Sequence, residues 1–576
     1  MSARSERPGR SMIGLVATTA AGRVMAARLA QAWPERCRVH SGPAGDQLRT
    51  AWAESTAVVC FLATGAAVRL VAPLLGDKHT DPALVCVDEA GRFAVALLGG
   101  HAADGNGLAE RVAEVLGAQP VITTGTDASG ATPLDTYGVD LGFRLVDSGA
   151  VAKVTRAMLD GSAPRLRADA SWPLPPLPSD DNGRYTVVVS DRLDASGDLV
   201  YRPPSLVVGV GASRGVAAAE LAALIDDALA DAGLSPESVR ALATVDVKAD
   251  EAGILAEADR RGWPLLTYPA GALADEVVPN PSEVVRAVVG TPSVAEAAAL
   301  RAARDAGRDA ILVVAKRASA MGTVAVARLT PRGRLTLIGL GPGAADLRTP
   351  RATAALRRAS IVVGLDQYVA QVRPLLHPAA RVLESGLGAE EERARTAVRL
   401  AGDGHAVALI GSGDAGVYAM ASPALQVAGE DIDVDAVPGV TAALAAAAVL
   451  GAPLGHDHAY LSLSDLHTPW PVIAERLRAC ARADLVVCLY NPRSRRRTAQ
   501  FDQALAILGE HRPDTTPVGV VRDATRPAQR VTRTSLGRLA ADPTVVDMLS
   551  VVLVGSRRTA MVAGRMVTPR EYQWLD

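Results

Sequence analysis

The sequence is poor in aromatic residues, in cysteines and in net charge, and each shortage excludes a class of protein. Aromatic residues make up 3% of the 576 residues, and the five cysteines include no C-x-x-C pair. Neither a disulfide framework nor a cysteine zinc cluster is expected, and this cysteine content fits a reducing compartment. Sixty Lys and Arg against 62 Asp and Glu leave a formal charge of −2. No overall field would draw the chain to nucleic acid or to an anionic membrane, so any anion site must be local.

Long hydrophobic runs are also missing. The charged N-terminus is followed by an apolar stretch of only about seven residues before Thr18, which is short for a signal peptide and far short of a membrane span. We predict a first strand there, a helix beginning near Ala21, and a cytoplasmic protein. The hydrophobic fraction of 49% and the charged fraction of 21% are typical of globular proteins. The length of the chain indicates roughly three to five domains.

Short β-rich runs alternate with Ala-, Leu- and Arg-rich helical stretches along most of the chain. Continuous apolar runs between helices indicate parallel sheets covered on both faces, hence a multidomain α/β fold. The runs predict strands at 56–63, 82–88, 205–211, 310–315, 334–341, 483–490 and 549–555. The Pro- and Asp-rich segment 163–185 predicts a linker or an irregular excursion. We therefore predict domains at 11–150, 205–331 and 332–576, with a middle region and linker at 151–204.

The stretch LTLIGLGPGAAD, residues 335–346, predicts a strand, a glycine-rich loop and then a helix. Gly339, Gly341 and Gly343 stand one residue too close for the dinucleotide fingerprint G-x-G-x-x-G. Pro342 has no N–H to offer a pyrophosphate. A generic nucleotide-binding loop is one interpretation. The missing donor favours an adenosyl group that carries a positively charged sulfonium.

Four later segments also end strands in polar loops. Segment 407–422 ends in a Gly/Ser/Asp turn, and segment 434–454 leads through a Pro-Gly turn into an Ala-rich helix. Thr441 stands at the start of that helix, either as a plain N-cap or as part of a site for a carboxylate. Segments 485–497 and 518–536 end in Arg-rich loops.

These five segments, in this order, resemble the tetrapyrrole methylase family of class III S-adenosylmethionine methyltransferases. SLSDLHTPW, YNPRSRRR and RDATRPAQ closely match its precorrin-3B C17-methyltransferases. The resemblance covers residues 333–576 and implies two α/β subdomains with S-adenosyl-L-methionine folded into the cleft between them. It also implies C17 methylation and ring contraction of precorrin-3B or cobalt-factor III in cobalamin biosynthesis. A homodimer through this region is expected.

The resemblance implies a set of cofactor contacts: Pro342, Ser412, Gly413, Asp414, Val417, Thr441, Ala442, Tyr490 and Gly519. A carboxylate at Asp414 can accept hydrogen bonds from the cofactor or balance its positive charge. Ring contraction needs an acid or a base, for which Asp414, His456 and Asp465 all remain candidates. His456 is expected to border the macrocycle, and no metal site is expected because His456 and His458 lack further ligands nearby. Leu365 departs from the family, which often has an aromatic residue in that segment.

The two Arg-rich loops follow strand ends, where open α/β sheets usually bind ligands. Precorrins carry many acetate and propionate groups, and bidentate Arg–carboxylate pairing suits such a polyanion. We predict carboxylate binding by Arg493, Arg495, Arg522 and Arg526. A solvated surface and an RNA-binding patch, with RNA methylation as the activity, are the alternatives.

The first half of the chain resembles cobalt-precorrin-5A hydrolase, through segments 61–128, 207–215, 243–258 and 293–328. The resemblance implies opening of a lactone and release of acetaldehyde. We expect His101 to act as base or to orient water, near Asp104 and Asn106. Ala212 replaces a common cysteine, so a non-catalytic tetrapyrrole carrier is the alternative. Four polar residues in apolar surroundings either pair with one another or hold substrate carboxylates: Lys248, Glu251, Glu296 and Lys316.

Overall fold

The computed structural model describes residues 12–77, 80–100, 103–124, 131–494 and 497–570. The chain forms two compact units. The first unit comprises Met1–Asp169, Leu177–Ala303 and Ile311–Arg328. The second comprises Ala170–Pro176, Arg304–Ala310 and Leu329–Asp576. The chain therefore enters the second unit briefly twice before it completes that unit.

The first unit opens with a mixed sheet flanked by helices. Its strands are β1 (Ile13–Ala17), β2 (Cys37–His40), β3 (Ala57–Phe61), β4 (Ala83–Val87), β5 (Phe93–Leu98) and β6 (Gln119–Val121). Its helices are α1 (Ala20–Ala32), α2 (Ala44–Glu54), α3 (Thr64–Val71) and α4 (Gly105–Leu116). The strand order is β2-β1-β3-β4-β5-β6, and β4 and β5 are antiparallel. Helix α1 begins close to the predicted position because the Thr19 side chain accepts a hydrogen bond from the Gly22 N–H.

A small sheet follows where a linker was expected. Its elements are β7 (Arg144–Leu145), α5 (Val151–Leu159), β8 (Arg165–Ala168), β9 (Thr186–Val189) and β10 (Leu199–Arg202), and the strand order is β7-β10-β9-β8. The prediction of an irregular 163–185 segment is therefore wrong at β8, which pairs in parallel with β9. The residues of β8 include no proline, so every N–H is available for pairing. The prolines from Pro173 onward come after the strand has ended.

The third sheet of the first unit has the order β13-β12-β11-β15-β14. Its strands are β11 (Leu206–Ala212), β12 (Val239–Val245), β13 (Leu265–Tyr268), β14 (Asp309–Ala318) and β15 (Gly322–Thr330). The helices are α6 (Ala218–Asp231), α7 (Ala252–Arg261), α8 (Ala270–Ala274), α9 (Glu283–Val289) and α10 (Ala295–Ala306). A Cβ on Gly209 would lie 1.9 Å from the Ala295 carbonyl oxygen. Helix α10 therefore lies directly on the backbone of β11.

A buried ion pair joins the small sheet to the third sheet. Asp191, 4% exposed, follows β9 and accepts two hydrogen bonds from Arg328 on β15, from Nε at 2.7 Å and from Nη2 at 2.8 Å. The Ser205 hydroxyl donates to the same carboxylate at 2.7 Å. Such bidentate pairs fix geometry as well as contribute energy. Asp191 thus holds the two sheets in register with each other.

The second unit begins with a sheet in which all strands are parallel. Its strands are β16 (Arg334–Gly339), β17 (Ile361–Leu365), β18 (Arg381–Ser385), β19 (Ala406–Gly411) and β20 (Asp433–Val437), in the order β18-β17-β19-β16-β20. The helices are α11 (Pro350–Arg358), α12 (Asp366–Val372), α13 (Glu390–Gly402) and α14 (Ala421–Leu425). Every residue of β19 is buried, as expected for a strand covered on both faces. All five strands end at one edge, where open α/β sheets bind ligands.

The second sheet of this unit is mostly antiparallel. Its strands are β22 (His458–Ser462), β23 (Val486–Tyr490), β24 (Pro517–Arg522), β25 (Arg530–Ser535) and β26 (Ser550–Val554), in the order β22-β23-β26-β24-β25. A small sheet contains β21 (Gly451–Ala452), β27 (Ala560–Val562) and β28 (Arg565–Val567). The helices are α15 (Ala442–Leu450), α16 (Trp470–Arg482), α17 (Ala499–Gly509) and α18 (Leu536–Ala541).

The prediction of parallel sheets throughout is wrong for β26, which runs antiparallel to both of its neighbours. Val551 and Leu553 pack with α15, whereas Val552 and Val554 pack with α17. Because helices cover both faces, the strand is continuously apolar whatever its direction. An apolar run thus reports burial and does not report strand direction.

Two further observations concern the cysteines and the helices. All five cysteines are free thiols. Within the ranges that the structure describes, no helix combines the length and the apolar character needed to cross a membrane.

Candidate functional site

Three glycine-containing turns meet at the carboxyl edge of the parallel sheet in the second unit. Gly341, after β16, and Gly413, after β19, exchange backbone hydrogen bonds of 3.0 Å and 2.8 Å. A Cβ on Gly439, after β20, would lie 2.1 Å from the Gly413 carbonyl oxygen, and one on Gly339 would lie 2.7 Å from it. Three backbones can approach this closely only because no side chains lie between them. The turns form one surface, which also includes the predicted residue Pro342 and the N-terminus of α15.

The Asp414 carboxylate ties two of these turns together. Its Oδ1 accepts a hydrogen bond from the Gly416 N–H at 2.8 Å, and its Oδ2 accepts one from the Gly439 N–H at 3.0 Å. The predicted residue Val417 closes the same turn, with its N–H donating to the Asp414 carbonyl at 3.3 Å. No basic side chain among the described residues pairs with Asp414. Its negative charge is therefore available to a cationic group that enters the site.

Thr441 stands at the N-cap position of α15, but its side chain makes no capping hydrogen bond, so the alternative of a plain side-chain cap is not the one that forms. Its Oγ1 hydrogen-bonds with the Tyr490 hydroxyl at 2.6 Å. The same phenol oxygen accepts a hydrogen bond from the Ala443 N–H at 2.9 Å. Tyr490, from the end of β23, thus replaces the Thr441 side chain as the acceptor for the first turn of α15. Ala442, also predicted as a cofactor contact, stands between Thr441 and Ala443 in the chain. A Cβ on Gly413 would lie 3.6 Å from the Ala442 nitrogen.

Three tyrosine rings stand together beside this helix start. The Tyr490 ring centroid lies 5.2 Å from that of Tyr418 and 5.8 Å from that of Tyr460. The Tyr418 hydroxyl donates to the Tyr460 carbonyl at 2.8 Å, and Tyr418 has a φ of 51°. A left-handed backbone at a bulky residue is a strained conformation of the kind that clusters at functional sites. Burial raises the pKa of Tyr490 to about 12, so its phenol keeps its proton even at alkaline pH.

Tyr490→Phe is expected to weaken cofactor binding about fivefold to thirtyfold. The variant keeps the ring but leaves Thr441 Oγ1 and the Ala443 N–H without their shared partner, which costs about 1–2 kcal/mol. Calorimetric titration with S-adenosylhomocysteine measures the effect. Tyr460→Phe is the matched control, since Tyr460 belongs to the same ring cluster and its hydroxyl makes neither of these bonds. Equal affinities for the two variants would contradict the role given to the Tyr490 hydroxyl.

Arg526, predicted to bind substrate, contacts the glycine loop instead. Its Nε donates to the Pro342 carbonyl at 2.9 Å, and its Nη2 donates to the predicted residue Ser412 at Oγ, 3.2 Å away. A Cβ on Gly343 would lie 2.5 Å from Arg526 Cγ. The preceding residue, Thr525, has a φ of 66° and accepts a hydrogen bond at Oγ1 from the Ala344 N–H, 3.4 Å away. The loop after β24 therefore closes over the loop after β16.

The other predicted arginines are also engaged, where the structure describes them. Arg493 Nη1 donates to the Pro543 carbonyl at 2.9 Å. Arg522 Nε donates to Asp547 at 2.7 Å, and its Nη1 pairs with Asp523. Arg495 lies outside the described residues. The described arginines of these loops thus shape the loops themselves.

The structure does not bring His456 to the turns that surround Asp414. His456 lies two residues before β22, whereas Tyr490 is paired with Ser462 at the far end of that strand. The length of β22 separates them by about 13 Å. The His456 ring accepts a hydrogen bond at Nδ1 from the neighbouring Asp457 N–H at 2.7 Å.

The remaining residues predicted in the second unit serve mainly as packing or local pairing groups. Asp465 accepts a hydrogen bond from Gln500 at 2.7 Å and lies 3.8 Å from Arg497 Nε. A Cβ on Gly519 would lie 2.3 Å from Leu450 Cδ1, at the C-terminal end of α15. Gly519 therefore allows α15 to pack onto β24. Leu365 is 5% exposed and offers no side chain to a ligand.

In the first unit, His101 lies outside the described residues, but its predicted neighbours are placed. Asp104 precedes α4 with a φ of 57° and pairs with Arg111 at 2.8 Å. Asn106 is 8% exposed and donates to Thr124 Oγ1 at 3.1 Å. A Cβ on Gly105 would lie 2.6 Å from the Leu98 carbonyl oxygen. The turn after β5 is thus tightly packed against the strand.

The four polar residues of apolar surroundings pair within the protein. Glu251 accepts a hydrogen bond from the Gly215 N–H at 2.8 Å, and Lys248 Nζ lies 3.9 Å from it. Glu296 is fully buried and accepts a hydrogen bond from the Lys316 N–H at 2.9 Å. The Lys316 ammonium donates to the Asn280 carbonyl at 3.1 Å. These four residues thus pair with groups of the protein itself, as one of the two alternatives expected.

Sequence reasoning missed Gly439 and Tyr418. Gly439 lies in the Pro-Gly turn after β20, and a glycine directly after a strand is the signal that also marks Gly341 and Gly413. Tyr418 follows Asp414 by four residues, and nothing in the local sequence indicates its contact with Tyr460. Over the described parts of the chain, no group of three or more His, Cys, Asp or Glu residues could hold a metal ion.

The residues at the joined turns fit an adenosyl cofactor with a sulfonium. The glycine backbones leave a surface that a Cβ would fill, and Pro342 withholds the N–H that a phosphate would seek. Asp414 supplies a carboxylate with no described cationic partner, which suits a positively charged ligand.

Three family models match the chain. The model for Tetrapyrrole (Corrin/Porphyrin) Methylases matches residues 334–540. The models for the Cobalamin synthesis G N-terminal and C-terminus regions match residues 46–127 and 206–327. The cobalamin synthesis G regions thus precede the methylase region, in the same order as the predicted hydrolase and methyltransferase activities.

Individual relatives match the C-terminal part. The probable cobalt-factor III C(17)-methyltransferase of Salmonella typhimurium is 45% identical over 241 residues, which are 41% of this chain and 99% of that protein. The cobalt-factor III methyltransferase of Priestia megaterium is 39% identical over 249 residues, 42% of this chain and 46% of that protein. The match thus spans about half the length of the Priestia protein. The crystal structure of the methyltransferase CobJ is 40% identical, with 41% of this chain and all of that chain covered and a TM-score of 0.39. The glycine turns around Asp414 therefore lie in a chain that belongs to the tetrapyrrole methylase family and that carries cobalamin synthesis G regions ahead of its methylase region.

Proposed function

We propose that the C-terminal region methylates C17 of cobalt-factor III, or of precorrin-3B, with S-adenosyl-L-methionine and contracts the ring, as a step of cobalamin biosynthesis. The observation that carries the proposal is the 45% identity to a C17-methyltransferase over 99% of its length. The joined turns at Gly341, Gly413 and Gly439 support it, because they provide a place for the cofactor in the matched region.

The residues of the site would act mainly by binding and orienting. When bound, S-adenosyl-L-methionine supplies a methyl group that its sulfonium already activates. The protein then needs to hold two reactants in line, which can account for much of the rate. Asp414 would balance the positive charge, and the contact between Tyr490 and Thr441 would fix the wall at the start of α15. Arg526 would hold the Pro342 loop in place over the cofactor.

We propose a second activity for the first half, in which it opens the lactone of cobalt-precorrin-5A and releases acetaldehyde. The matches to the two cobalamin synthesis G regions support this activity. Placing both activities in one chain would suit a route in which cobalt enters the ring early. The homodimer and the cytoplasmic location stay predictions, and light scattering of the purified chain tests the first.

Incubation of the full chain with S-adenosyl-L-methionine and either cobalt-factor III or precorrin-3B tests the main proposal. We expect a product heavier by one methylene group in the mass spectrum, with a shifted visible spectrum. Absence of methyl transfer to both substrates would refute it, and transfer to RNA in a parallel reaction would favour the alternative activity. Incubation with cobalt-precorrin-5A tests the first half. Acetaldehyde would support a hydrolase, whereas tight binding without acetaldehyde would indicate a carrier.

A further inference from the structure

A buried arginine in the second unit has no acidic partner among the residues that the structure describes. Arg393 lies on α13 and is 5% exposed. Its Nε donates to Ser385 Oγ at 3.0 Å and its Nη2 donates to the Gly386 carbonyl at 2.8 Å. Its Nη1 points to the Met420 sulfur at 3.6 Å. No carboxylate in the described ranges forms an ion pair with it.

This arrangement leaves a charge uncompensated in a poorly solvated place. A buried cation is costly unless it is paired, and thioether sulfur is a weak acceptor. Two partners of Arg393 are neutral oxygens and the third is this sulfur. The guanidinium therefore has both the charge and the donors to take a stronger acceptor, of which a carboxylate is the best match in geometry.

A phenol stands at the same edge of the sheet. Tyr368, on α12, is half-buried and follows the end of β17 by three residues. The neighbouring strand β18 ends at Ser385, which accepts a hydrogen bond from Arg393. Burial raises the pKa of the Tyr368 phenol, and the positive charge of Arg393 opposes that shift.

The position of this group is that of a ligand site. Ser385 ends β18, Met420 follows the turn after β19, and Tyr368 follows β17. All three strands are parallel, so their carboxyl ends meet at the edge where such sheets bind ligands. The glycine turns of the candidate cofactor site lie at the same edge, since β16 belongs to this sheet.

We propose that Arg393, together with Tyr368, binds one side-chain carboxylate of the tetrapyrrole substrate. The proposal rests on the proposed function, since that function names a polycarboxylate as substrate. It moves the anchor for the substrate from the Arg-rich loop at Arg493 to the carboxyl edge of the parallel sheet. A carboxylate there would complete the hydrogen bonding of the Arg393 fork and neutralise its charge.

Binding of two corrinoids to the full chain tests the proposal without any turnover. Cobyrinic acid carries free side-chain carboxylates, and cobinamide carries amides in their place on the same ring. Arg393→Gln is expected to weaken cobyrinic acid binding about tenfold, the effect of losing one charge-assisted contact, and to leave cobinamide binding unchanged. Arg395→Gln is the matched control. Arg395 lies on the same helix, is exposed and pairs with Glu391 at 2.9 Å, so we expect no change for either corrinoid.

A merely structural role of Arg393 would give a different result. It would weaken both corrinoids, or the binding of S-adenosylhomocysteine, and either outcome overturns the proposal, as does an unchanged affinity for cobyrinic acid. If Arg393→Gln does not fold, Arg393→Lys keeps the charge without the fork and is expected to lose about threefold for cobyrinic acid alone. Equal effects of Arg393→Lys on both corrinoids, or none, would also overturn it. A further outcome is a parent chain that transfers no methyl group, while Arg393→Gln still selectively loses cobyrinic acid binding. That result would refute the proposed function and leave the carboxylate site standing.

Discussion

Gly439→Ala is expected to lower the affinity for S-adenosylhomocysteine about 100-fold and to abolish methyl transfer. The added Cβ would lie 2.1 Å from the Gly413 carbonyl oxygen and 2.8 Å from Gly339. Backbone atoms cannot turn aside as the end of a side chain can, so the turns after β19 and β20 must separate. Overpacking of this kind costs about 3 kcal/mol, and the Asp414 hydrogen bond to the Gly439 N–H would be lost with it. Calorimetric titration of the full chain measures the affinity.

Gly509→Ala is the matched control for this change. Gly509 ends α17, and a Cβ there would meet no atom within 4 Å. Gly509→Ala should bind S-adenosylhomocysteine with the affinity of the parent chain. Its stability should rise slightly, because alanine favours the helix more than glycine does. Near-normal cofactor binding by Gly439→Ala would mean that the three turns need not touch, and the site as described would then be wrong.

Asp191→Ala is expected to destabilise the first unit by about 3 kcal/mol. The substitution removes both acceptors of Arg328 and the partner of Ser205, and loss of one member of a buried pair costs about 3–5 kcal/mol. The Arg328 side chain is 32% exposed, so water can partly compensate it and the lower end of that range applies. A chain with several units does not unfold in two states, so hydrogen exchange of β9 and β15 is the appropriate measurement. We expect faster exchange in both strands and unchanged exchange in β16 and β19.

Asp194→Ala provides the comparison for this pair. Its side chain is 78% exposed and lies 3.4 Å from Arg192, so its removal should change stability by less than about 1 kcal/mol. If the amide hydrogens of β9 and β15 exchange at the same rates in Asp191→Ala and Asp194→Ala, Asp191 does not hold the two sheets together.

The strands of the second unit illustrate what the sequence can predict. The apolar runs of β16 and β19 identify buried strands, and the glycines after them identify close backbone approach. Strand direction was not accessible, because β26 is covered by helices on both faces and its residues look like those of a parallel strand. The small sheet around β8 was missed for another reason: four residues between two proline-containing stretches give too short a pattern to detect.

The candidate site divides in the same way. That Pro342, Asp414 and Thr441 come together could be predicted from strand ends and from the family resemblance. The contacts of Tyr490 and Arg526 could not, because each joins residues that are 47 or more positions apart. Arg393 stands in the charged run EEERAR, which looks solvated. Its burial follows from its helical spacing to the buried residues Ala397 and Leu400, a periodicity that the local composition hides.

The short segment Ala170–Pro176 belongs to the second unit, although nearly all the rest of that unit follows Arg304. A Cβ on Gly404, after α13, would lie 2.7 Å from the Ser171 carbonyl oxygen, so this segment packs backbone against backbone. A polypeptide that begins at residue 332 would lack this segment and leave the turn at Gly404 uncovered. No single cleavage can therefore separate the two units, and during synthesis on the ribosome Ala170–Pro176 must wait for more than two hundred further residues before its packing partner emerges.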